Sequence, residues 1–298
     1  MKNRKGIILA GGNGTRLAPI TNVISKQLMP IYNKPMIYYP LSTLMLAGIK
    51  EILIITSEQD NASFKKLLGN GDEFGISIKY KIQKSPDGIA QAFLIAEEFL
   101  NNSPVALILG DNLFNGSELQ KKLQCANNNL SQNTIFGFPV KDPERYGVIE
   151  FKDRKISKII EKPQKPKSRY AVTGLYFYDC NVVKKTKNIK PSSRGELEIT
   201  DLNQMYLDEN NLYVEILNRG MAWLDTGTFD SLHQAGTYIR ILEKRQGLKI
   251  GCPYEVAWRK GWISNIEFKK SGESFMKSSY GKYFHELIEE SRINKNIN

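Results

Sequence analysis

The sequence predicts an α/β protein built on a doubly wound, mostly parallel sheet. Apolar runs alternate with helical patterns through the first half of the 298 residues. Several of these runs are apolar throughout, which is typical of parallel strands that helices cover on both faces. A glycine-rich loop directly follows the first run, and in open sheets of this class ligands bind beyond the carboxyl ends of the strands. We therefore expect a ligand site at that edge of the sheet.

The first half supplies the parallel strands and the helices that connect them. The predicted strands are 5–10, 51–56, 76–82 and 105–110, and the predicted helices are 35–49, 60–68 and 90–100. One face of the helix 35–49 collects Ile37, Leu41, Leu44, Met45 and Gly48. Pro35 and Pro40 would both have to sit near the first turn of this helix, where proline is tolerated.

The second half is richer in strands and has fewer helices between them. The predicted strands are 134–140, 147–151, 155–163, 171–179 and 212–217, and the predicted helices are 179–187, 196–208, 229–246 and 281–291. We expect these strands to extend the same sheet, which then becomes mixed, and to build the other wall of a cleft. The chain thus divides into an α/β half over 1–132, a strand-rich half over 133–228 and a helical segment over 229–298.

Composition and charge exclude several classes of protein. No apolar run is long enough to cross a bilayer, and the apolar stretch 6–10 is too short for a signal peptide, so we expect a cytoplasmic protein. Cys125, Cys180 and Cys252 lie far apart, which argues against a zinc site and a disulfide framework. The net charge is +11, but the sequence has no basic stripe with interleaved aromatic residues. The charge therefore favours a small polyanionic substrate over a nucleic acid.

The glycine loop, defined here as Gly11, Gly12, Gly14 and Arg16, has the composition of a phosphate cradle. Glycines let backbone N–H groups approach a phosphate without an intervening Cβ. Arg16 and the nearby Lys26 then add positive charge, the first as a bidentate fork and the second as a point charge. The loop matches neither GxGxxG nor the Walker pattern. The alternative interpretation is a glycine turn with solvated cations.

Two carboxylates are candidates for a magnesium site. Asp111 follows the apolar strand in "LILGDNLF" (107–114), so it lies at the same sheet edge as the glycine loop. Asp225 follows a second apolar stretch in "AWLDTGT" (222–228). Mg²⁺ is commonly held by one or two carboxylates together with substrate phosphates. The alternative for Asp111 is a plain Asp-Asn turn.

Further polar and aromatic residues have the chemistry of a nucleoside and sugar site. The side-chain amides of Gln83 and Gln27 match the imide edge of a pyrimidine, because each presents one donor side and one acceptor. Glu161 is suited to accept hydrogen bonds from sugar hydroxyls, and Lys162 to hold a monophosphate. The residues that offer flat apolar faces to a sugar ring are Tyr146, Tyr176 and Trp223. The alternative for each of these residues, taken alone, is a packing or surface position, which is the more common one.

Taken together, these motifs resemble the glucose-1-phosphate thymidylyltransferase family of sugar nucleotidyltransferases, also called dTDP-glucose pyrophosphorylases. The matching blocks are the glycine loop with its flanks (9–49), "SPDGIAQAF", "LGDNLF", "DPERYGVIEF", "EKPQKPKSRYAVTGLYFYD", "RGELEITD" and "AWLDTGT". They occur in order from about residue 5 to about residue 290. The resemblance implies a Rossmann-like fold with a sugar-binding half. It also implies Mg²⁺-dependent synthesis of dTDP-glucose and pyrophosphate from dTTP and glucose 1-phosphate, as the first step toward dTDP-rhamnose, in a homotetramer.

The resemblance also implies roles for individual residues. The implied nucleotide-binding residues are Leu9, Gly11, Gly12, Gly14, Thr15, Arg16, Lys26, Gln27, Gln83, Gly88 and Asp111. The residues implied to surround glucose 1-phosphate, with Trp223 added from its chemistry, are Asn112, Tyr146, Gly147, Glu161, Lys162, Val172, Tyr176, Arg194 and Trp223. The expected catalytic residues are Arg16, Lys26, Asp111, Lys162, Arg194 and Asp225, and the expected metal ligands are Asp111 and Asp225.

Two departures and two rivals accompany this interpretation. Lys84 stands where the family often has proline, and Asn115 and Ser117 replace an aromatic-Gly-His pattern in a region that helps the family form a regulatory nucleotide site. The first rival is a pyrophosphorylase for UTP, CTP, ATP or another sugar phosphate. The second is a non-catalytic sugar-nucleotide-binding regulator, which would be expected to have lost Asp111, Asp225 or Arg16.

Overall fold

A mixed sheet of nine strands forms the centre of the protein, whose computed structural model describes residues 2–12, 14–153 and 155–295. Two small two-stranded sheets accompany it. In chain order the strands are β1 (Lys5–Ala10), β2 (Pro30–Ile31), β3 (Lys34–Pro35), β4 (Glu51–Thr56), β5 (Ser77–Ile82), β6 (Val105–Leu109), β7 (Asn112–Asn115), β8 (Asn133–Pro139), β9 (Gly147–Lys152), β10 (Lys155–Glu161), β11 (Tyr170–Tyr178), β12 (Leu212–Ile216) and β13 (Ala222–Asp225).

The helices flank this sheet and continue beyond it toward the C-terminus. In chain order they are α1 (Tyr38–Leu46), α2 (Asn61–Leu68), α3 (Gln91–Ile95), α4 (Glu97–Leu100), α5 (Leu119–Asn128), α6 (Val182–Thr186), α7 (Ile199–Asp208), α8 (Phe229–Gln246), α9 (Pro253–Arg259), α10 (Asn265–Glu273) and α11 (Ser279–Lys295). Within the described residues, no helix is both long enough and apolar enough to cross a membrane.

The first half forms the predicted parallel sheet, in the order β5–β4–β1–β6. Successive side chains of a strand point to opposite faces, so a strand covered on both faces must be apolar at every position. In β1, Ile7 belongs to the core on one face and Ile8 to the core on the other, and both are fully buried. The uninterrupted apolar runs therefore have the cause that the sequence indicated, and the α/β prediction is confirmed.

The second half joins the same sheet through β11, which runs antiparallel to its neighbours. One edge of β11 pairs with β6 over Leu175–Tyr178 and then with β9 at Ala171. The opposite edge pairs with β8, which in turn pairs in parallel with β12. Between the end of β6 and the start of β9, the edge of β11 is unpaired around Val172 and Gly174. This interruption in the ladder opens a cleft.

The division of the chain into three segments, with boundaries at residues 132 and 228, stays a prediction.

Several predicted elements have different bounds in the structure. The helix expected over 35–49 begins at Tyr38, because Pro35 lies in β3 and pairs with Pro30 of β2. Pro40 is in the first turn of α1, as expected. The helix expected over 90–100 is divided into α3 and α4 at Ala96, and the helix expected over 179–187 is shorter. The short strands β7 and β13 and the helix α5 are additional to the predicted elements.

The C-terminal helices pack back on the first half. A capping box between Thr228 and Ser231 starts α8, which ends at Gly247 in the left-handed conformation. The following helices bury a cluster of aromatic rings, with Phe268 and Phe284 stacked 4.5 Å apart. This cluster belongs to the same core as helix α1, so the C-terminal segment packs directly on the α/β half.

Candidate active site

A cavity of about 470 Å³ lies in the cleft between the two halves of the sheet. It opens where β6 ends and β7 begins, beside the unpaired edge of β11. The predicted site residues that line it are Arg16, Asp111, Asn112, Tyr146, Gly147, Glu161, Lys162, Val172, Tyr176, Trp223 and Asp225. Most of the expected sugar-phosphate residues and both expected metal ligands therefore face one space.

The glycine loop lies directly against one of the predicted base readers. A Cβ placed on Gly11 would lie 2.3 Å from Gln83 Oε1, so only glycine leaves room for this amide. Gln83 is buried, and its Nε2 donates to Gln91 Oε1 at 2.6 Å. A Cβ on Gly12, by contrast, would meet no atom within 4 Å. The loop therefore presents an open backbone at Gly12 beside an oriented glutamine amide.

Gln27 and Gly88, the other two predicted base readers, are both packed against neighbouring residues. Gln27 is buried, and its Oε1 accepts a hydrogen bond from Ser25 Oγ at 2.8 Å. Gly88 has a φ of 106°, and a Cβ there would lie 2.4 Å from the carbonyl oxygen of Leu197. Both positions are thus occupied by contacts within the protein. The predicted nucleotide residues outside the cavity lining are Leu9, Gly11, Gly12, Gly14, Thr15, Lys26, Gln27, Gln83 and Gly88.

Asp111 and Asp225 are brought together by the antiparallel pair β7–β13. Asn112 pairs with Asp225 in this ladder. The hydroxyl of Thr226 donates to the backbone oxygen of Asp111 at 2.8 Å, which ties the two segments together. The Asp111 carboxylate forms an ion pair with Lys26 and accepts a hydrogen bond from Asn112 Nδ2 at 3.0 Å. The two predicted metal ligands, Asp111 and Asp225, and the predicted catalytic lysine, Lys26, therefore lie close together.

The two carboxylates differ in electrostatic environment. Burial, and next the neighbouring negative charge of Asp111, raises the pKa of Asp225 to about 6. Burial also acts to raise the pKa of Asp111, but the charge and hydrogen bond of Lys26, together with the hydrogen bonds from Asn112 and the backbone, leave that pKa below its ordinary value. The positive charges of Lys26, Arg16 and Arg145 thus offset only in part the effects of burial and of Asp111 on Asp225. Such a pair of carboxylates is a donor set that suits Mg²⁺.

Arg16 lies over the turn that follows Asp225. A Cβ on Gly227 would lie 2.8 Å from Nη2 of Arg16, so glycine is what allows the guanidinium to approach the backbone. The positive charge of Arg16 also acts to lower the pKa of Asp225. Within the described residues, no cluster of three or more His, Cys, Asp or Glu side chains has the geometry of a metal site. A metal bound by these two carboxylates therefore has to complete its coordination with water and substrate phosphates.

Glu161 lies at the end of the cavity where the sugar phosphate is expected, and it has three polar neighbours. Its Oε2 accepts a hydrogen bond from Thr200 Oγ1 at 2.6 Å, while Lys162 and Arg194 approach its Oε1 at 3.5 and 3.3 Å. Lys162 follows β10 with a φ of 42°, a conformation that is uncommon outside glycine. One carboxylate and two cations thus meet at this end, a combination suited to a hydroxylated phosphate ester.

Arg194 is held beside the cavity and is absent from its lining. Its Nη2 donates to both carboxylate oxygens of Glu198 at 2.8 Å. Glu196 approaches the same nitrogen at 3.4 Å. The guanidinium therefore already has carboxylate partners, and an incoming phosphate would have to compete with them for it.

The amide of Asn112 is fixed by three hydrogen bonds. Its Oδ1 accepts from the backbone N–H of Gly174 at 3.0 Å and from Trp223 Nε1 at 2.5 Å. Its Nδ2 donates to Asp111. The ring of Tyr146 packs edge-on against Trp223 at 5.1 Å. The aromatic wall is therefore linked to the metal-side carboxylate through one asparagine.

Two polar cavity residues, Arg145 and Thr200, escaped the sequence prediction. Arg145 lies in "DPERYGVIEF", immediately before the predicted Tyr146. Thr200 lies in "RGELEITD", six residues after the predicted Arg194. Their position in those motifs was the available signal, whereas their orientation depends on how the strands pair. The apolar lining residues Ile89, Leu109 and Ile199 gave no signal beyond hydrophobicity.

A second cavity, of about 550 Å³, lies between the segment after β7 and the C-terminal helices. Asn115 and Ser117 line it on one side, and Lys249 and Arg259 on the other. Of the departures from the family pattern noted in the sequence, Asn115 and Ser117 therefore fall on this second cavity.

Comparison with known proteins identifies relatives over nearly the whole chain. The family model described as "Nucleotidyl transferase" matches residues 5–240. A glucose-1-phosphate thymidylyltransferase of Neisseria meningitidis is 56% identical over 286 residues, which cover 95% of this chain and 99% of that protein. The protein of that name in Xanthomonas campestris is 52% identical over 294 residues, covering 98% of this chain and 100% of that protein.

Solved structures share the architecture. A Bacillus anthracis protein provisionally described as a glucose-1-phosphate thymidylyltransferase, crystallised with sucrose, has a TM-score of 0.74 and 43% identity. It covers 80% of this chain and 95% of its own. A UDP-glucose pyrophosphorylase in complex with UDP-glucose has a TM-score of 0.71 over 81% of this chain and 100% of its own. At 23% identity, that second likeness extends to the fold alone.

Proposed function

The chain belongs to the nucleotidyl transferase family, and we propose that it acts as a glucose-1-phosphate thymidylyltransferase. It transfers the thymidylyl group of dTTP to glucose 1-phosphate and releases pyrophosphate. One observation carries this proposal: relatives above 50% identity over nearly the full chain bear that name. In support, four of the six residues expected to be catalytic, Arg16, Asp111, Lys162 and Asp225, line one cavity.

The reaction needs charge neutralisation more than it needs a general base. A phosphate monoester has a second pKa near 6, so the attacking oxygen is already mostly ionised at neutral pH. That oxygen forms a bond to the α-phosphorus of dTTP while the bond from the α-phosphorus to the β-phosphate bridging oxygen breaks. The electron pair leaves with pyrophosphate. The obstacle is repulsion between two polyanions, so positioning and electrostatic stabilisation dominate.

The side chains divide this task between the two ends of the cavity. Backbone N–H groups of the glycine loop, with Arg16 and Lys26, would bind the triphosphate, and Gln83 would hydrogen-bond the thymine edge. Lys162 and Arg194 would hold the attacking phosphate, and Glu161 would accept hydrogen bonds from the glucose hydroxyls. The buried position of Gln83 against Gly11 supports its proposed role.

Asp111 and Asp225 would hold a divalent cation, which we propose is Mg²⁺. The approach of the two carboxylates through the β7–β13 pair supports the assignment, as do their hard oxygen donors. When bound, this ion supplies positive charge against the phosphate oxygens that face the carboxylates. Lys26 already neutralises part of Asp111, so it would be free to turn toward phosphate once the cation compensates that carboxylate.

A pyrophosphorylase for another nucleotide is the main alternative. Thymine and uracil differ by one methyl group, whose burial is worth about 1 kcal/mol, so some use of dUTP or UTP is expected. The experiment is pyrophosphate release over a panel of nucleoside triphosphates and sugar 1-phosphates, with and without Mg²⁺. The proposal expects the highest kcat/KM for dTTP with glucose 1-phosphate and almost none without the metal. A clear preference for ATP or CTP would refute it.

The cellular setting and assembly follow from the same proposal. Solvent-exposed free thiols at Cys125 and Cys180 are compatible with a reducing cytoplasm.

Exposed apolar side chains on or beside α8, such as Phe229, Ile241 and Leu248, support the expected homotetramer. Light scattering should then give about four times the 33.9 kDa of one chain. Inhibition by dTDP-rhamnose would test whether the second cavity serves the regulatory role that the family resemblance implies there.

A further inference from the structure

Arg145 faces the candidate active site, and the proposed function assigns no role to its side chain. It ends a short 3-10 turn (Pro143–Arg145) immediately before β9. Its side chain lines the same cavity as Arg16, Asp111 and Asp225. Its neighbour Tyr146 packs edge-on at 5.1 Å against Trp223, which lies two residues before Asp225 in β13. Arg145 therefore belongs to the metal side of the cavity.

The guanidinium of Arg145 is held only weakly in its present position. Its Nη1 forms a salt bridge of 2.6 Å with Asp142 Oδ2, and the two side chains are 41% and 42% exposed. Exposed ion pairs of this kind contribute little because both partners remain hydrated. The guanidinium also lies 5.4 Å from the centre of the Tyr146 ring, which keeps it beside the cavity wall. An anionic ligand in the cavity can therefore take it from Asp142.

The other cations of the site are already assigned. Lys26 is paired with Asp111, and Arg194 and Lys162 lie around Glu161 at the sugar end. The charged residues in the cavity lining are Arg16, Arg145 and Lys162 against Asp111, Glu161 and Asp225. Since the signs balance, a bound nucleoside triphosphate brings a surplus of negative charge that a mobile arginine is suited to meet. Arginine also binds phosphate oxygens in bidentate fashion.

We propose that Arg145 binds the β- and γ-phosphates of dTTP and the pyrophosphate that leaves, an inference that rests on the proposed function. As the bond from the α-phosphorus to the bridging oxygen breaks, the electron pair and the negative charge pass to the pyrophosphate. A guanidinium fork on these oxygens stabilises the charge as it develops. Glucose 1-phosphate, whose phosphate Lys162 and Arg194 would hold, is expected to make no contact with Arg145.

The test compares Arg145→Gln and Arg145→Lys with the wild type in both directions of the reaction. For Arg145→Gln we expect the KM values for dTTP and pyrophosphate to rise at least tenfold. Those for glucose 1-phosphate and dTDP-glucose should stay within twofold, a split that a merely structural role would not produce. Arg145→Lys should lie between, because it keeps the charge and loses the fork. Arg219→Gln, a charge change on an exposed loop, is the matched control and should behave as wild type.

Two results would overturn the proposal: an unchanged KM for pyrophosphate in Arg145→Gln, or a rise confined to the KM for glucose 1-phosphate. Thermal melting checks that the variants are folded, and the conservative Arg145→Lys remains informative if the glutamine variant is not. Calorimetric titration with pyrophosphate alone separates this proposal from the proposed function. If the wild type makes no dTDP-glucose, the proposed function fails, whereas equal pyrophosphate affinity in wild type and Arg145→Gln removes only the role of Arg145.

Discussion

Asp225 and Asp111 illustrate how two identical side chains acquire different properties from their neighbours. Lys26 compensates Asp111, whereas Asp225 is half-buried beside another carboxylate, and desolvation together with that neighbouring charge raises its pKa to about 6. An ionised Asp225 is thus destabilising in the metal-free protein. A bound divalent cation would remove this electrostatic destabilisation. The charge that the cation requires therefore lowers the stability of the metal-free protein.

Asp225→Asn should therefore stabilise the metal-free protein at pH 7.5 by about 3 kcal/mol. The folded-state pKa lies above the ordinary value of 3.8, so ionisation costs stability that is fully felt above pH 6 and absent below about pH 4. Urea unfolding in EDTA at pH 7.5 and pH 4 measures this difference. An equal effect at both pH values, or a less stable variant at pH 7.5, would contradict the assignment.

Asp111→Asn should reduce kcat by at least about 100-fold while leaving the fold intact. The substitution removes a negative charge that the cation requires and keeps the size of the side chain. Steady-state assays at saturating Mg²⁺ and circular dichroism check the two halves of this statement. Glu286→Gln, on the exposed face of α11, serves as the control for losing one carboxylate. Near-normal turnover in Asp111→Asn would refute its role.

Gly11→Ala should weaken dTTP binding through Gln83. The added Cβ would lie 2.3 Å from Gln83 Oε1 and has to displace the amide, so we expect the KM for dTTP to rise tenfold or more. Gly236→Ala is the matched control, because its Cβ would meet the nearest atom at 3.7 Å, within helix α8. If both alanine variants bind dTTP equally well, Gln83 is not the base reader.

At the level of elements, the glycine loop, its strand and the buried parallel strands were predictable because they depend on local pattern. The approach of Asp225 to Asp111 was not, because it depends on pairing between β7 and β13, two strands of four residues each that lie far apart in the chain. The start of α1 was missed for a similar reason: Pro35 is held in β3 by its pairing with Pro30. Arg145 and Thr200 face the cavity only because of such long-range pairing.

The attachment of α8 to the β2–β3 hairpin depends on a buried ion pair. Glu243 Oε1 accepts a hydrogen bond from Lys34 Nζ at 2.6 Å and from the backbone N–H of Ile250 at 2.9 Å, and both side chains are almost fully buried. Burial acts to raise the pKa of Glu243, but the charge of Lys34 and these hydrogen bonds leave it below its ordinary value. Its contribution to stability is therefore present at neutral pH and lost as the pH falls through that lowered pKa.

Glu243→Gln should destabilise the protein by about 3 kcal/mol at pH 7.5, because it leaves Lys34 charged and buried without a counter-ion. Urea unfolding measures the change. Glu97→Gln is the matched control, since its pair with Lys187 has the same 2.6 Å separation but is more than half exposed, and it should cost less than about 1 kcal/mol. Equal losses in the two variants would show that burial of the pair does not matter.

For the whole molecule, the change from parallel to antiparallel pairing at β11 creates the cleft. The parallel half contributes the glycine loop and Asp111, while the antiparallel half contributes Glu161, Lys162 and the aromatic wall. The two reactants would thus approach from different halves of one sheet. This separation keeps two polyanions apart until cations lie between them, which is the central claim of the proposed mechanism.

A crystal structure of the protein soaked with dTTP and Mg²⁺ tests that claim most directly. We expect the triphosphate to lie over the glycine loop and the metal to be bound by Asp111 and Asp225. The α-phosphorus should face Lys162, so that the attacking phosphate can reach it. A triphosphate bound away from the loop, with the two carboxylates left without a metal, would contradict it.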